Sequence, residues 1–220
     1  MSDDRRPSVP EGHVRLRDQQ GALTRLAILR AARVVFARRG FARASIRELA
    51  EEAGVAVQTI YATFGSKAGL LAGLPDLIDE ESGIHDVIAE RDRTSEPGEL
   101  IRLFVRLVRR VWSVCGDIMR LLRDNAAQPE VGAAYGEAMR RHRFGLEWTA
   151  GRIAEAGALR PGLSAGRAAD IMEAVLVLEV ADVLVGKRGW SWDEYEEWAV
   201  SVLSWQLLRE RSRPGGSDDF

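Results

Sequence analysis

The chain has 220 residues, 46% hydrophobic and 29% charged, with a formal net charge of −2. That balance fits a globular protein with room for a small unit and a larger helical one, and it argues against a disordered or fibrous chain. The longest apolar run, Ala174 to Val185, is broken by Glu179 and Asp182 and falls short of the roughly 18–20 residues that span a bilayer. No membrane association is therefore expected.

The first residues, MSDDRRPSVPEGHVRLRDQQ, lack an apolar h-region, so no secretory leader is expected. The lone cysteine, Cys115, leaves no internal disulfide and fits a reducing cytoplasm, as a small apolar residue of a helix core. Residues 1–20 read as a flexible basic arm. Arg15 and Arg17 in it either enter a minor groove or remain solvated. A helix is expected through TRLAILRAARVVFARRGF, where Ile28, Ala31, Ala32, Val35 and Phe36 form one apolar stripe. Gly40 caps it and Phe41 returns to the core.

Ser45 then caps a second helix whose inward positions Ile46, Leu49, Ala50 and Ala53 keep the helical period. Gly54 ends it, since glycine takes the left-handed conformation without a Cβ penalty, and Val55 plugs the corner. The next helix, about Ala56 to Thr63, keeps Ile60 and then Phe64 inward. Its other positions, Val57, Gln58, Thr59, Tyr61 and Thr63, form a short, neutral, hydrogen-bonding face. In a helix-turn-helix such a face enters the major groove, where Gln58 suits a bidentate adenine contact and Thr59 a methyl or hydroxyl contact. Tyr61 and Lys67 are placed for phosphates. Lys67 follows Ser66 at the start of a further helix, whose free N–H groups also favour an anion. The charge is divided accordingly: residues 1–70 hold 12 Lys and Arg against 7 Asp and Glu, and the remainder 19 against 26. The basic end, which carries the motif, turns toward phosphate.

The string SIRELAEEAGVAVQTIYATFGSKAGL, with the helix before it, resembles the N-terminal domain of the TetR (tetracycline repressor) family. The resemblance implies an all-helical homodimer that represses transcription and leaves DNA when a small molecule binds its larger C-terminal domain. Beside the cap Ser45, it carries Arg47, Val57, Gln58, Thr59, Tyr61, Thr63 and Lys67 onto positions that face DNA. Two positions depart from the family pattern. Ala56 stands where a capping serine is common, and Thr63 where histidine or tyrosine is frequent. The expected organisation is all-α: a three-helix DNA-binding domain over 21–70, an effector-binding and dimerisation domain over 71–212, and a disordered tail over 213–220.

Beyond Leu70, glycine and proline punctuation predicts helices over Leu77–Asp92, Glu99–Asn125, Glu130–Gly157, Ser164–Lys187 and Trp192–Arg211. The apolar circumference of Ala168 to Val185 calls for a second packing partner. The aromatic stripe of the last helix suits an interface between subunits or the subunit's own core. Met172, Val175, Leu176, Glu179, Val183, Tyr195, Trp198, Val202 and Trp205 are the interface candidates. If the family mechanism applies, the pocket lies among the middle helices. Its candidates are Trp112, Cys115, Met119, Arg123, Tyr135, His142, Leu146 and Trp148, with His142 read as nearer the surface. Glu179 and Asp182 require counter-charges, from an arginine or from a cationic ligand.

No catalytic frame is visible: His13, His85 and His142 lie far apart, and no P-loop, GxGxxG or GxSxG occurs, so no enzyme, metal or cofactor is expected. The reading is a dimeric regulator on a palindromic operator of double-stranded DNA, released by an unknown small-molecule effector. A regulator controlled by a protein partner or by its own abundance remains open, as does a helical enzyme or binding module with an idle hairpin.

Overall fold

A computed structural model describes the backbone of residues 11–209 and the side chains from Gln19 to Arg209. Eleven α-helices and one π-helical turn make up the described chain: α1 (Glu11–Arg39), α2 (Ile46–Ala53), α3 (Val57–Phe64), α4 (Lys67–Ala72), α5 (Pro75–Glu81), α6 (Ile84–Arg91), α7 (Pro97–Asp124), α8 (Pro129–Glu155), α9 (Ala165–Leu176), α10 (Leu178–Ala181), the π turn (Asp182–Lys187) and α11 (Trp192–Leu207). The described residues form no strand; an isolated bridge pairs Leu159 with Leu208. None of their helices is long and apolar enough to cross a membrane.

α1 begins at Glu11, so the backbone of residues 11–20, expected as a flexible arm, is helical. Arg15 and Arg17 lie on this stretch, but their side chains are outside the described residues, as are the tail 213–220 and the side chain of His13. The predicted stripe is in place: Ile28, Leu29, Ala32, Val35 and Phe36 are buried with Leu49 and Ala50 of α2, Ile60 of α3, and Leu70 and Leu71 of α4. Apolar side chains removed from water at about 25 cal/mol per Å² make this small cluster the main support of helices too short to persist alone.

The larger body packs α7 against α5, α6, α8 and α11, with α9 between α8 and α11. Its core joins Phe104, Val108, Cys115 and Met119 of α7 to Leu146 and Ile153 of α8, Met172 and Leu176 of α9, and Tyr195, Ala199 and Leu203 of α11. It is continuous with the N-terminal cluster.

The structure departs from two predicted helices. The expected helix Leu77–Asp92 is broken at Gly83, which adopts φ 64°, and α6 turns away from α5. The expected helix Ser164–Lys187 stops at Val177, where ψ is 150°, and resumes as α10 and the π turn. No glycine or proline marks that break. The carbonyl of Leu176, freed by it, accepts a 3.0 Å hydrogen bond from the Trp112 indole N–H, so a tertiary partner replaces the lost helical one.

Candidate functional site

The N-terminal domain presents a helical hairpin built by local signals. Ser45 closes a capping box, accepting from the Glu48 amide at 3.2 Å while Glu48 accepts from the Ser45 amide at 2.9 Å. Donation from the Ser45 amide and then the Ser45 hydroxyl holds the Glu48 carboxyl below its ordinary range. Gly54 takes φ 65°, and the Val55 amide returns to the Ala50 carbonyl at 3.0 Å, closing the helix end. α3 starts at Ala56 with no side-chain cap, as its residue type predicts.

The outer face of α3 carries Gln58, Tyr61 and Thr63 exposed, with Val57 and Thr59 half-buried. Tyr61 is 51% exposed, although large and aromatic. The Thr63 hydroxyl donates to the Thr59 carbonyl at 2.8 Å, so in the free protein it is turned into the helix. Arg47 is exposed and pairs with Glu51 at 2.9 Å, a contact too solvated to hold it from another partner.

Lys67 departs from its expected role. Its ammonium donates to the carbonyls of Phe41, Ala42 and Ala44 at 2.8, 3.2 and 2.9 Å and lies 4.7 Å from the Phe41 ring centre. All three donors are used to pin the start of α4 to the turn between α1 and α2, so Lys67 sets the geometry of the reader instead of reaching a phosphate in this state. The sequence holds no local signal for this clasp, because its acceptors are main-chain atoms more than twenty residues away.

α4 leads from this clasp to a second feature. A cavity of about 510 Å³ opens among α4 to α8, with Ala72 of α4, Ile78 of α5, Ile84 of α6, Phe104 and Trp112 of α7, and His142 of α8 in its wall. That size suits a small-molecule site. Of the predicted ligand residues, Trp112, Met119 and His142 line it. Cys115 and Leu146 are fully buried core, and burial pushes the Cys115 thiol up to about 11. Arg123 pairs with Glu179 at 2.7 Å and Asp124 at 3.1 Å, Tyr135 packs against the core, and Trp148 lies under Arg91 at 3.9 Å. None of these five lines the cavity.

His142, expected nearer the surface, sits on the cavity wall, its ring 6.2 Å from Phe104 and 5.8 Å from Trp112. Its Nε2 is buried without a hydrogen-bond partner, and burial lowers its pKa, opposed by Glu173. Reading α5 and α6 as one helix hid Ile84, His85 and Ile88; the break at Gly83 delivers them to the cavity.

The interface candidates divide. Met172, Leu176 and Tyr195 are fully buried within the subunit, a correction to their expected place on an intersubunit face. Val175, Trp198 and Val202 are half-buried, and Glu179, Val183 and Trp205 exposed. The counter-charges for the two acids come from the same chain: Arg123 takes Glu179, and Arg120 takes Asp182 with Nε at 3.0 Å.

Residues 28–74 match the family model of bacterial regulatory proteins, tetR family. The chain carries a tetR-family regulatory domain. Among curated proteins no sequence matches it. Several solved structures are similar across the whole TetR-type fold. One is a Saccharomonospora viridis protein, described as a transcriptional regulator and in complex with choline, at TM-score 0.70 and 22% identity over 86% of this chain and all of that one. FadR of Bacillus subtilis, in complex with stearoyl-CoA, superposes at TM-score 0.68 with 18% identity over 82% of this chain and 98% of that one. NalD of Pseudomonas aeruginosa, the secondary repressor of a multidrug efflux pump, gives TM-score 0.65 and 21% identity over 88% of this chain and all of that one. At these identities the likeness establishes a shared fold, with the TetR-type hairpin N-terminal and a larger helical body C-terminal.

Proposed function

We propose that the protein is a homodimeric transcriptional regulator of the cytoplasm that represses by occupying a palindromic operator and releases it when a small molecule fills the cavity. The observation that carries the reading is α4. One end of this short helix, Lys67, is fastened to the turn that carries α2 and α3, and the other end, Ala72, lines the cavity. A ligand with differential affinity for a displaced α4 shifts the population away from the DNA-competent state. FadR with its acyl-CoA, and NalD as a repressor, are consistent with such a mechanism.

Dimerisation is supported by geometry and by energetics. Val183 and Trp205 are 42% and 64% exposed and Val175, Trp198 and Val202 half-buried, all on α9, the π turn and α11, the elements that a second copy would cover in this reading. One recognition helix contacts few base pairs, each worth about 1–3 kcal/mol of discrimination, whereas two related by a twofold axis read an inverted repeat. In this reading Gln58 and Thr59 contact base edges, and Arg47 and Tyr61 the backbone.

Selection of bound sequences from random duplex DNA, using wild-type and Gln58→Ala protein, tests this. An enriched palindrome weakened by Gln58→Ala at unchanged thermal stability supports the reading. Absence of any enriched sequence overturns it.

A further inference from the structure

We infer that the cavity takes a compact, uncharged, largely apolar molecule whose single hydroxyl meets His142. The inference rests on the effector reading above and gives that site its chemistry. Two observations carry it, one about charge and one about an unsatisfied atom.

The charged residues of the wall are already neutralised by the protein. Asp76 pairs with Arg25 at 2.9 Å, Asp79 lies 3.8 Å from Arg141, and Glu137 holds Arg140 and Arg141. Arg91 is bonded to Asp92 at 3.0 Å and rests on Trp148. A carboxylate or ammonium entering the cavity finds each of these charges already partnered and loses its own hydration against a largely apolar wall. The apolar wall formed by Phe104, Val108, Val111 and Trp112 of α7 favours the opposite kind of guest.

Of the two histidines in the wall, His85 is exposed to solvent, so polar recognition away from water falls to His142. The Trp112 N–H is spent on the Leu176 carbonyl, whereas His142 Nε2 is buried without a protein partner, and a buried polar atom calls for one. Burial favours the neutral imidazole, in which one ring nitrogen donates and the other accepts. A hydroxyl does both, and satisfies Nε2 in either tautomer after a small turn of the ring.

The test uses full-length protein without DNA, with N-phenyl-1-naphthylamine fluorescence as reporter and 4-phenylphenol, biphenyl and biphenyl-4-carboxylate as competitors sharing one ring system. The phenol is expected to displace the reporter about 3- to 10-fold more tightly than biphenyl, as one net hydrogen bond allows, and at least about tenfold more tightly than the carboxylate. His142→Leu removes the advantage of the phenol over biphenyl, and Ala138→Trp, which fills the cavity, abolishes reporter binding.

A carboxylate that competes as well as the phenol overturns the inference. So does a hydroxyl advantage that survives in folded His142→Leu, or reporter binding that survives Ala138→Trp. If His142→Leu fails to fold by circular dichroism, the wild-type ratio of phenol to biphenyl decides, and equality overturns the inference. Absence of reporter binding overturns it as well. Because operator selection needs no ligand, every one of these failures is distinguishable from failure of the DNA-binding reading.

Discussion

Arg33 of α1 grips Asp117 of α7 through two hydrogen bonds, each 2.7 Å, from Nε and Nη2. The same guanidinium reaches Glu81 of α5 at 2.7 Å and the Val114 carbonyl. It is the inner member of a ladder in which Arg25 holds Asp76 and Arg30 holds Glu81. The reader domain is therefore bolted to the body by one helix face of arginines. Bonds to Asp117 raise the Arg33 pKa above its ordinary value, so the charge persists at any physiological pH.

Replacing Arg33 by lysine is expected to cost about 1–2 kcal/mol of stability, because an ammonium cannot bond Asp117 through two nitrogens while also reaching Glu81. Denaturant unfolding measures the loss. Replacing the more exposed Arg30, 51% accessible, is expected to cost less than about 1 kcal/mol. Equal losses at the two positions would contradict this account of the junction.

Gly69 is required by a close approach of two helices. A Cβ built there meets the Phe64 carbonyl oxygen at 2.1 Å, a main-chain atom that cannot swing aside. Gly69→Ala is expected to destabilise the hairpin by about 1–3 kcal/mol and to weaken DNA binding by shifting α4 against α3. Thermal unfolding and operator titration check both, and an unchanged melting temperature would refute the steric argument.

Ala56 offers the opposite opportunity. Its φ of −71° and ψ of 147° are those of an N-cap, yet α3 has no side-chain cap. Ala56→Ser is expected to gain about 0.5–2 kcal/mol and to tighten DNA binding, since the reading helix is firmer before DNA arrives. The thermal midpoint and the dissociation constant should improve together; a loss in either sinks the prediction.

Acidification is expected to destabilise the protein through His142. Burial lowers its folded pKa below the ordinary 6.5, so as pH falls through 6.5 the unfolded chain takes up a proton that the folded one refuses. Stability from this group is complete above 6.5 and declines as pH drops toward the lower folded value. Glu48, Glu137 and Glu194, whose pKa values are also lowered by their hydrogen bonds, weaken the fold only at more acid pH. Denaturant midpoints at pH 7.5 and 5.5 are expected to differ in wild type and to converge in His142→Leu. A slope that persists in the variant assigns the effect elsewhere.

The hairpin was legible because its determinants are local. Ser45 with Glu48 and Gly54 with Val55 act within a turn or two of chain, so the residue types announce the geometry. Lys67 was legible in position but not in role, since its three carbonyl partners are set by tertiary packing. The break at Val177 was hidden for the same reason, being stabilised by an indole from α7 in place of a local breaker. Tyr195 shares its helical spacing with Trp198 and Trp205. Spacing alone does not say which of those aromatics the subunit keeps for its own core. His142 lies in the arginine-rich run MRRHR, whose charge pointed outward, while the helix turns the imidazole toward Phe104 and Trp112.

Trp112 has two tasks that constrain each other. Its ring is wall to the cavity, and its N–H holds the carbonyl at the kink between α9 and α10. A guest that pushed this ring aside would strand a buried acceptor, so that side of the chamber behaves as a fixed jaw. Accommodation falls to the other walls, where Phe144 is 68% exposed and α6 follows the Gly83 turn. The chamber therefore measures its guests from the Trp112 side, and a larger one must displace the remaining walls, to which α4 contributes Ala72.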